Sequence, residues 1–151
     1  MSQIIRSNKT RRLRLAENLC ADRKAKLTGL RRKILEILIQ ANAPLKAYDV
    51  VELMRNEGRR VTPATTYRVL EFLLDQGLAH RINSLNAYAP CADPRSKHSL
   101  VMFVCSKCDA AKEINDEALI GAIRVRLDEL GFALQGGVEI QGACKRCLER
   151  G

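Results

Sequence analysis

The stretch VTPATTYRVLEFLLDQG, Val61 to Gly77, decides how the chain is read. Thr62 carries a hydroxyl suited to capping a helix, Pro63 fits a first turn where its missing N–H has no intrahelical partner, and Gly77 stands just past the last turn as a stop. Between them Thr66, Val69, Leu70, Leu73 and Leu74 recur every three or four residues and form an apolar stripe, while Ala64, Thr65, Arg68, Glu71 and Asp75 fall on the other face. Leu78 to Pro90, LAHRINSLNAYAP, follow as two short strand-like runs around an Asn and Ser turn, which predicts a hairpin.

Three more helices are predicted upstream. From about Thr10 to Ala25, Leu13, Ala16, Leu19 and Cys20 keep helical spacing; Thr28 caps a second helix with Leu30, Ile34, Ile37, Leu38 and Ala41 on its apolar side. AYDVVELMRNEG makes the third, with Val50, Val51 and Met54 inward and Gly58 as stop, although Lys46 stands where a capping Ser or Thr is usual. Three helices, a reading-type helix and a hairpin are the order of a winged helix-turn-helix.

The charge is unevenly placed. Residues 1–33 hold eleven of the 26 Lys and Arg against Glu17 and Asp22, so they carry the entire net charge of +9. A charge run is most often a solvated face, but one of this concentration suits a polyanion such as DNA or RNA. At 46% hydrophobic and 28% charged, with only short apolar runs, the chain reads as globular with no membrane span. The basic start lacks the apolar core of a secretory signal, so a cytoplasmic location is expected.

After the hairpin the pattern changes. HSLVMFVC and AAKEI read as strands, DEALIGAIRVRLDELG as a helix stopped by Gly131, and FALQGGVEIQGAC as a further strand. The expected fold class is α+β: residues 1–88 a winged-helix DNA-binding domain, 89–97 a hinge, and 98–151 a small α/β domain for dimerisation and metal binding. A unit this small needs a metal staple or a partner subunit to hold it together.

Cys105 and Cys108 form one C-x-x-C, and Cys144 and Cys147 a second. In a reducing cytosol such pairs point to metal, and two of them complete the tetrahedral sulfur shell that zinc prefers. With no open position, that ion builds structure rather than catalysing; structural zinc supplies about 10 to 16 kcal/mol to small domains. The alternatives are redox dithiols or unrelated buried cysteines, and a thioredoxin-like pair normally opens a helix, whereas Cys105 ends a strand. The remaining ligand types are His80, Cys91, His98 and Glu113. Spacing does not assemble them, and a surface His, a buried Cys and a solvated Glu are the ordinary readings.

TPATTYRVLEFLLDQGLAHRINSLNAYAPC, with HSLVMFVCSKCDAAKEI and GACKRC, closely resembles the ferric uptake regulator superfamily and its zinc-sensing branch over nearly the whole chain. The resemblance implies a non-enzymatic repressor that binds double-stranded operator DNA as a homodimer, with no small-molecule substrate. It places the structural zinc on Cys105, Cys108, Cys144 and Cys147 and a regulatory zinc on His80, Cys91, His98 and Glu113, two ions per subunit. A mixed nitrogen, sulfur and oxygen shell suits zinc, whereas relatives that sense iron, manganese or peroxide use more histidines than the two available here. Cys20 matches a helical cysteine of some zinc regulators and reads as core. On DNA the resemblance brings in Tyr48; Thr65, Tyr67 and Arg68 are expected nearest the bases, and Arg11, Arg12 and Arg14 on phosphates. The rivals are a relative answering another metal or peroxide, a thiol-disulfide redox protein, and a zinc-stabilised RNA binder.

Overall fold

The computed structural model describes residues 2–96 and 100–150, which form two compact units, Met1–Arg95 and Ser96–Gly151. In the first unit α1 (Ser2–Asp22), α2 (Gly29–Gln40), α3 (Ala47–Asn56) and α4 (Pro63–Asp75) precede an antiparallel hairpin, β1 (Ala79–Ile82) and β2 (Ala87–Pro90). This is a winged helix-turn-helix, with the hairpin as the wing.

Local chemistry explains the boundaries. Thr28 and Thr62 accept hydrogen bonds from the amides of Arg31 and Thr65. α3 starts at Lys46 because Asp49, three residues on, reaches back to the Lys46 amide at 2.7 Å, the acidic half of a capping box. α4 ends in a Schellman turn: Gly77, at φ +62°, donates to Leu74, and Leu78 donates to Leu73. α1 stops at Asp22, earlier than its periodicity predicts, because Lys24 takes the left-handed conformation (φ 55°) and closes the same kind of turn without a glycine.

The core joins all four helices through Leu13, Ala16, Ile34, Leu38, Val50, Met54, Leu70 and Leu73. Cys20 belongs to it, and burial pushes its thiol above the ordinary value, the setting of a small core residue rather than a reactive one. Leu45, between α2 and α3, exchanges backbone hydrogen bonds with Tyr88 and adds a single bridge to the wing.

The second unit is a three-stranded sheet in the order β4, β3, β5. Central β3 (Leu100–Cys105) pairs antiparallel with β4 (Ala111–Asn115) and parallel with β5 (Val138–Gly142). The crossover carries α5 (Glu117–Glu129), capped by Asp116, and a one-turn helix, α6 (Lys145–Glu149), ends it. Among the described residues of this unit only Val101, Met102, Val104, Cys105 and Ile120 are buried.

Candidate metal centres and DNA-reading face

Parallel pairing sets Cys105, the last residue of β3, opposite Gly142, the last of β5. The two C-x-x-C turns leave the sheet at the same edge and meet there. The Ser106 amide bonds the Gly142 carbonyl at 2.8 Å, and the Cys144 amide points at the Cys105 sulfur at 3.3 Å. All four sulfurs, of Cys105, Cys108, Cys144 and Cys147, lie within 4.8 Å of one another. A tetrahedral zinc with Zn–S bonds of about 2.3 Å requires sulfurs about 3.8 Å apart, and Cys108 and Cys144 are 3.8 Å apart. The donor set fits zinc in both chemistry and spacing.

Electrostatics agree. Cys105 is lowered to about 6, chiefly by the Cys144 amide and then that of Lys107, and Cys108 is lowered chiefly by the amide of Ala110. Cys147 is pushed up to about 12, first by its hydrogen bond with Cys108. The sulfurs therefore ionise readily at first and resist full ionisation until a cation compensates. Arg146, inside the second pair, sends a guanidinium nitrogen to within 3.8 Å of the Cys108 sulfur. Cys105 ends β3, as the sequence argument against redox chemistry held, whereas Cys144 caps α6, so the second pair does open a short helix. What separates the cluster from an isolated dithiol is the convergence of all four sulfurs.

In the first unit, β1 and β2 bring His80 and Cys91 together. His80 pairs with Ala89, and the Cys91 amide returns to the Leu78 carbonyl at 2.9 Å just beyond β2. Their donor atoms lie within 4.8 Å, with Cys91 buried and His80 half-buried. Residues 89–95, read from the sequence as the start of a hinge, group with the first unit because of these bonds. Glu113 sits half-buried on β4 opposite Met102. His98 lies outside the described residues.

The DNA candidates divide. Tyr48 is 67% exposed, Tyr67 40%, Arg68 is exposed, and Thr65 is half-buried because its amide and hydroxyl engage the Thr62 cap. Arg11 and Arg14 are exposed on α1. Arg12 differs from the expectation of a phosphate clamp: it flanks the buried stripe of Leu13 and Ala16, is half-buried, and donates to the Cys91 carbonyl at 2.9 Å. Arg59 and Arg60, exposed just before α4, were not singled out from the sequence, although their doublet beside the Thr62 cap was the available signal.

A winged-helix unit joined to a small sheet unit with a four-sulfur metal cluster defines a class of metal-dependent DNA-binding regulators. The chain matches the model of the Ferric uptake regulator family over residues 22–137. It is 35% identical to the Zinc uptake regulation protein of Escherichia coli (strain K12) over 136 residues, 89% of this chain and 80% of that one. Among solved structures it resembles a zinc uptake regulator complexed with zinc and DNA (TM-score 0.85, 33% identity, 94% of this chain and 96% of that one). It also resembles holo XcZur (TM-score 0.80, 32% identity, 91% and 96%). The protein belongs to the ferric uptake regulator family. Among the described residues no helix is long and apolar enough to cross a membrane.

Proposed function

We infer that the protein is a zinc-responsive transcriptional repressor that binds double-stranded operator DNA as a homodimer in the cytoplasm. The carrying observation is a winged-helix unit and a four-cysteine cluster of zinc dimensions in a chain 33% identical to a regulator solved with zinc and DNA. Two zinc ions per subunit are assigned: a permanent one on Cys105, Cys108, Cys144 and Cys147, and a regulatory one on His80, Cys91, His98 and Glu113. The proximity of His80 and Cys91 on the wing supports the second set.

When bound to ligands drawn from both units, the regulatory ion supplies bonds that restrain their mutual freedom. The protein residues do the rest. Thr65, Tyr67 and Arg68, in the first half of α4, read the major groove, with Arg68 suited to a bidentate guanine contact. Tyr48 approaches the duplex beside them, and Arg11 and Arg14 neutralise phosphates. A twofold dimer presents its α4 helices to successive major grooves, about 34 to 36 Å apart. Fewer unsuitable orientations mean tighter binding, and couplings of this kind amount to about 1 to 3 kcal/mol.

Dimerisation is supported by what the second unit leaves uncovered. Of α5 only Ile120 is buried, while Val125, Leu130 and Phe132 are 62%, 58% and 66% exposed. A second copy would cover them.

The test is a titration of operator affinity against buffered free zinc, with Cys91→Ser and His98→Ala beside the parent. Both variants are expected to keep one tightly held ion per chain and lose the zinc response. An equal response in all three would overturn the regulatory assignment. Binding that follows iron(II), manganese(II) or peroxide and ignores zinc would transfer the protein to another branch of the family.

A further inference from the structure

Arg12, unlike its exposed neighbours Arg11 and Arg14, is turned inward. Its Nη2 donates to the carbonyl of Cys91 at 2.9 Å across 79 residues of sequence. The amide of the same Cys91 donates to Leu78 at 2.9 Å, and Leu78 is the residue that closes the Schellman turn of α4 through Leu73. Both backbone groups of Cys91 are thereby held, one by the basic helix and one by the end of the DNA-reading helix. Leu15, Ala16, Leu35, Ile39, Leu78 and Pro94 line an apolar cleft around the contact. A charge-assisted hydrogen bond beside such a wall is stronger than the same bond in water.

We propose that Arg12 is a positioning residue for the regulatory zinc site: it fixes Cys91 for ligation and ties the ligand's position to α1, whose exposed Arg11 and Arg14 are assigned above to DNA phosphates. This rests on the reading of Cys91 as a ligand. Partners hydrogen-bonded to a ligating side chain commonly change metal affinity by about 10- to 100-fold when removed; Arg12 holds the backbone carbonyl of Cys91 rather than its sulfur, so the lower end of that range applies. A phosphate clamp makes a different prediction, namely a salt dependence of DNA binding reduced by about 0.9 decades per decade of salt.

The experiment uses the full chain with Arg12→Gln, Arg12→Lys, Arg11→Gln and Cys91→Ser, each checked for parental helix content. Affinity for the second zinc is measured without DNA by competition with a chromophoric chelator. The salt slope of operator binding is measured at saturating zinc. Arg12→Gln is expected to weaken the second zinc about tenfold while retaining the first ion and the parental salt slope, and Arg12→Lys to recover part of the loss. Arg11→Gln is expected to do the reverse, lowering the slope with zinc affinity unchanged. Parental zinc affinity in Arg12→Gln, with or without a reduced slope, overturns the proposal while leaving the Cys91 assignment intact. Retention of the second zinc by Cys91→Ser overturns the ligand assignment and the Arg12 role with it.

Discussion

Gly77 holds φ +62°, and a Cβ placed there meets nothing within 4 Å, so backbone strain alone opposes substitution. Gly77→Ala is expected to destabilise the first unit by about 1 to 2 kcal/mol, read as a lower urea midpoint of the helical signal. Arg68 is the complementary case, an exposed side chain whose removal leaves folding untouched. Arg68→Ala is expected to weaken operator binding by about 1 to 3 kcal/mol and relax preference at one base pair, measured by binding to a set of single-base operator variants. The cap at Thr62, the stop at Gly77 and the inward set Thr66, Val69, Leu70 and Leu73 are all legible from residue types and their spacing. Lys24 was not, because nothing in a lysine announces a left-handed backbone; the turn imposes it. The inward course of Arg12 was equally hidden, since charge alone groups it with Arg11 and Arg14.

Between elements, α1 and α2 are joined by Lys9, 2.8 Å from Glu36, with Lys33 bridging Glu36 at 3.8 Å and Glu57 at 2.6 Å. The hydrogen bond from Lys9, aided by the positive charge of Lys33, holds the Glu36 carboxyl below its ordinary value. A carboxyl depressed by folding contributes stability in full above its unfolded value of about 4.3 and loses it as pH falls through the lower folded value. Glu36→Gln is therefore expected to cost up to about 1 kcal/mol at pH 6 and progressively less as the pH is lowered below about 4, measured by urea unfolding of the first unit across that range. In the second unit the elements meet at the sulfur cluster. With so few buried side chains, Cys105→Ser or Cys144→Ser is expected to unfold this unit while the winged helix survives, visible as loss of the tightly held zinc and of the sheet's amide protection against exchange. Helix periods and strand alternation revealed most elements. They missed α6, which is only one turn long, and the Leu45–Tyr88 bridge, which has no periodicity to detect.

For the whole molecule, the exposed Val125 and Phe132 carry the dimer prediction. A Val125→Glu, Phe132→Asp double variant is expected to sediment as a monomer and to lose operator affinity on the order of 100-fold, the scale set by losing simultaneous engagement of two half-sites. A dimer that persists with unchanged affinity would show that these residues lie outside the interface.

Sequence alone determined what depends on neighbours along the chain: the capped α4, the wing, the two C-x-x-C turns with their preference for zinc, and the concentration of positive charge in the first 33 residues. Those features follow from backbone sterics, helical repeat and ligand chemistry, which act over a few residues. Tertiary structure decided which distant groups meet. Parallel pairing of β3 with β5 sets Cys105 beside Gly142 and so joins two cysteine pairs into one cage, and the packing of α1 delivers Arg12 to the carbonyl of Cys91. Such contacts are settled by the burial of whole faces and the register of strands, and no local pattern encodes the partner.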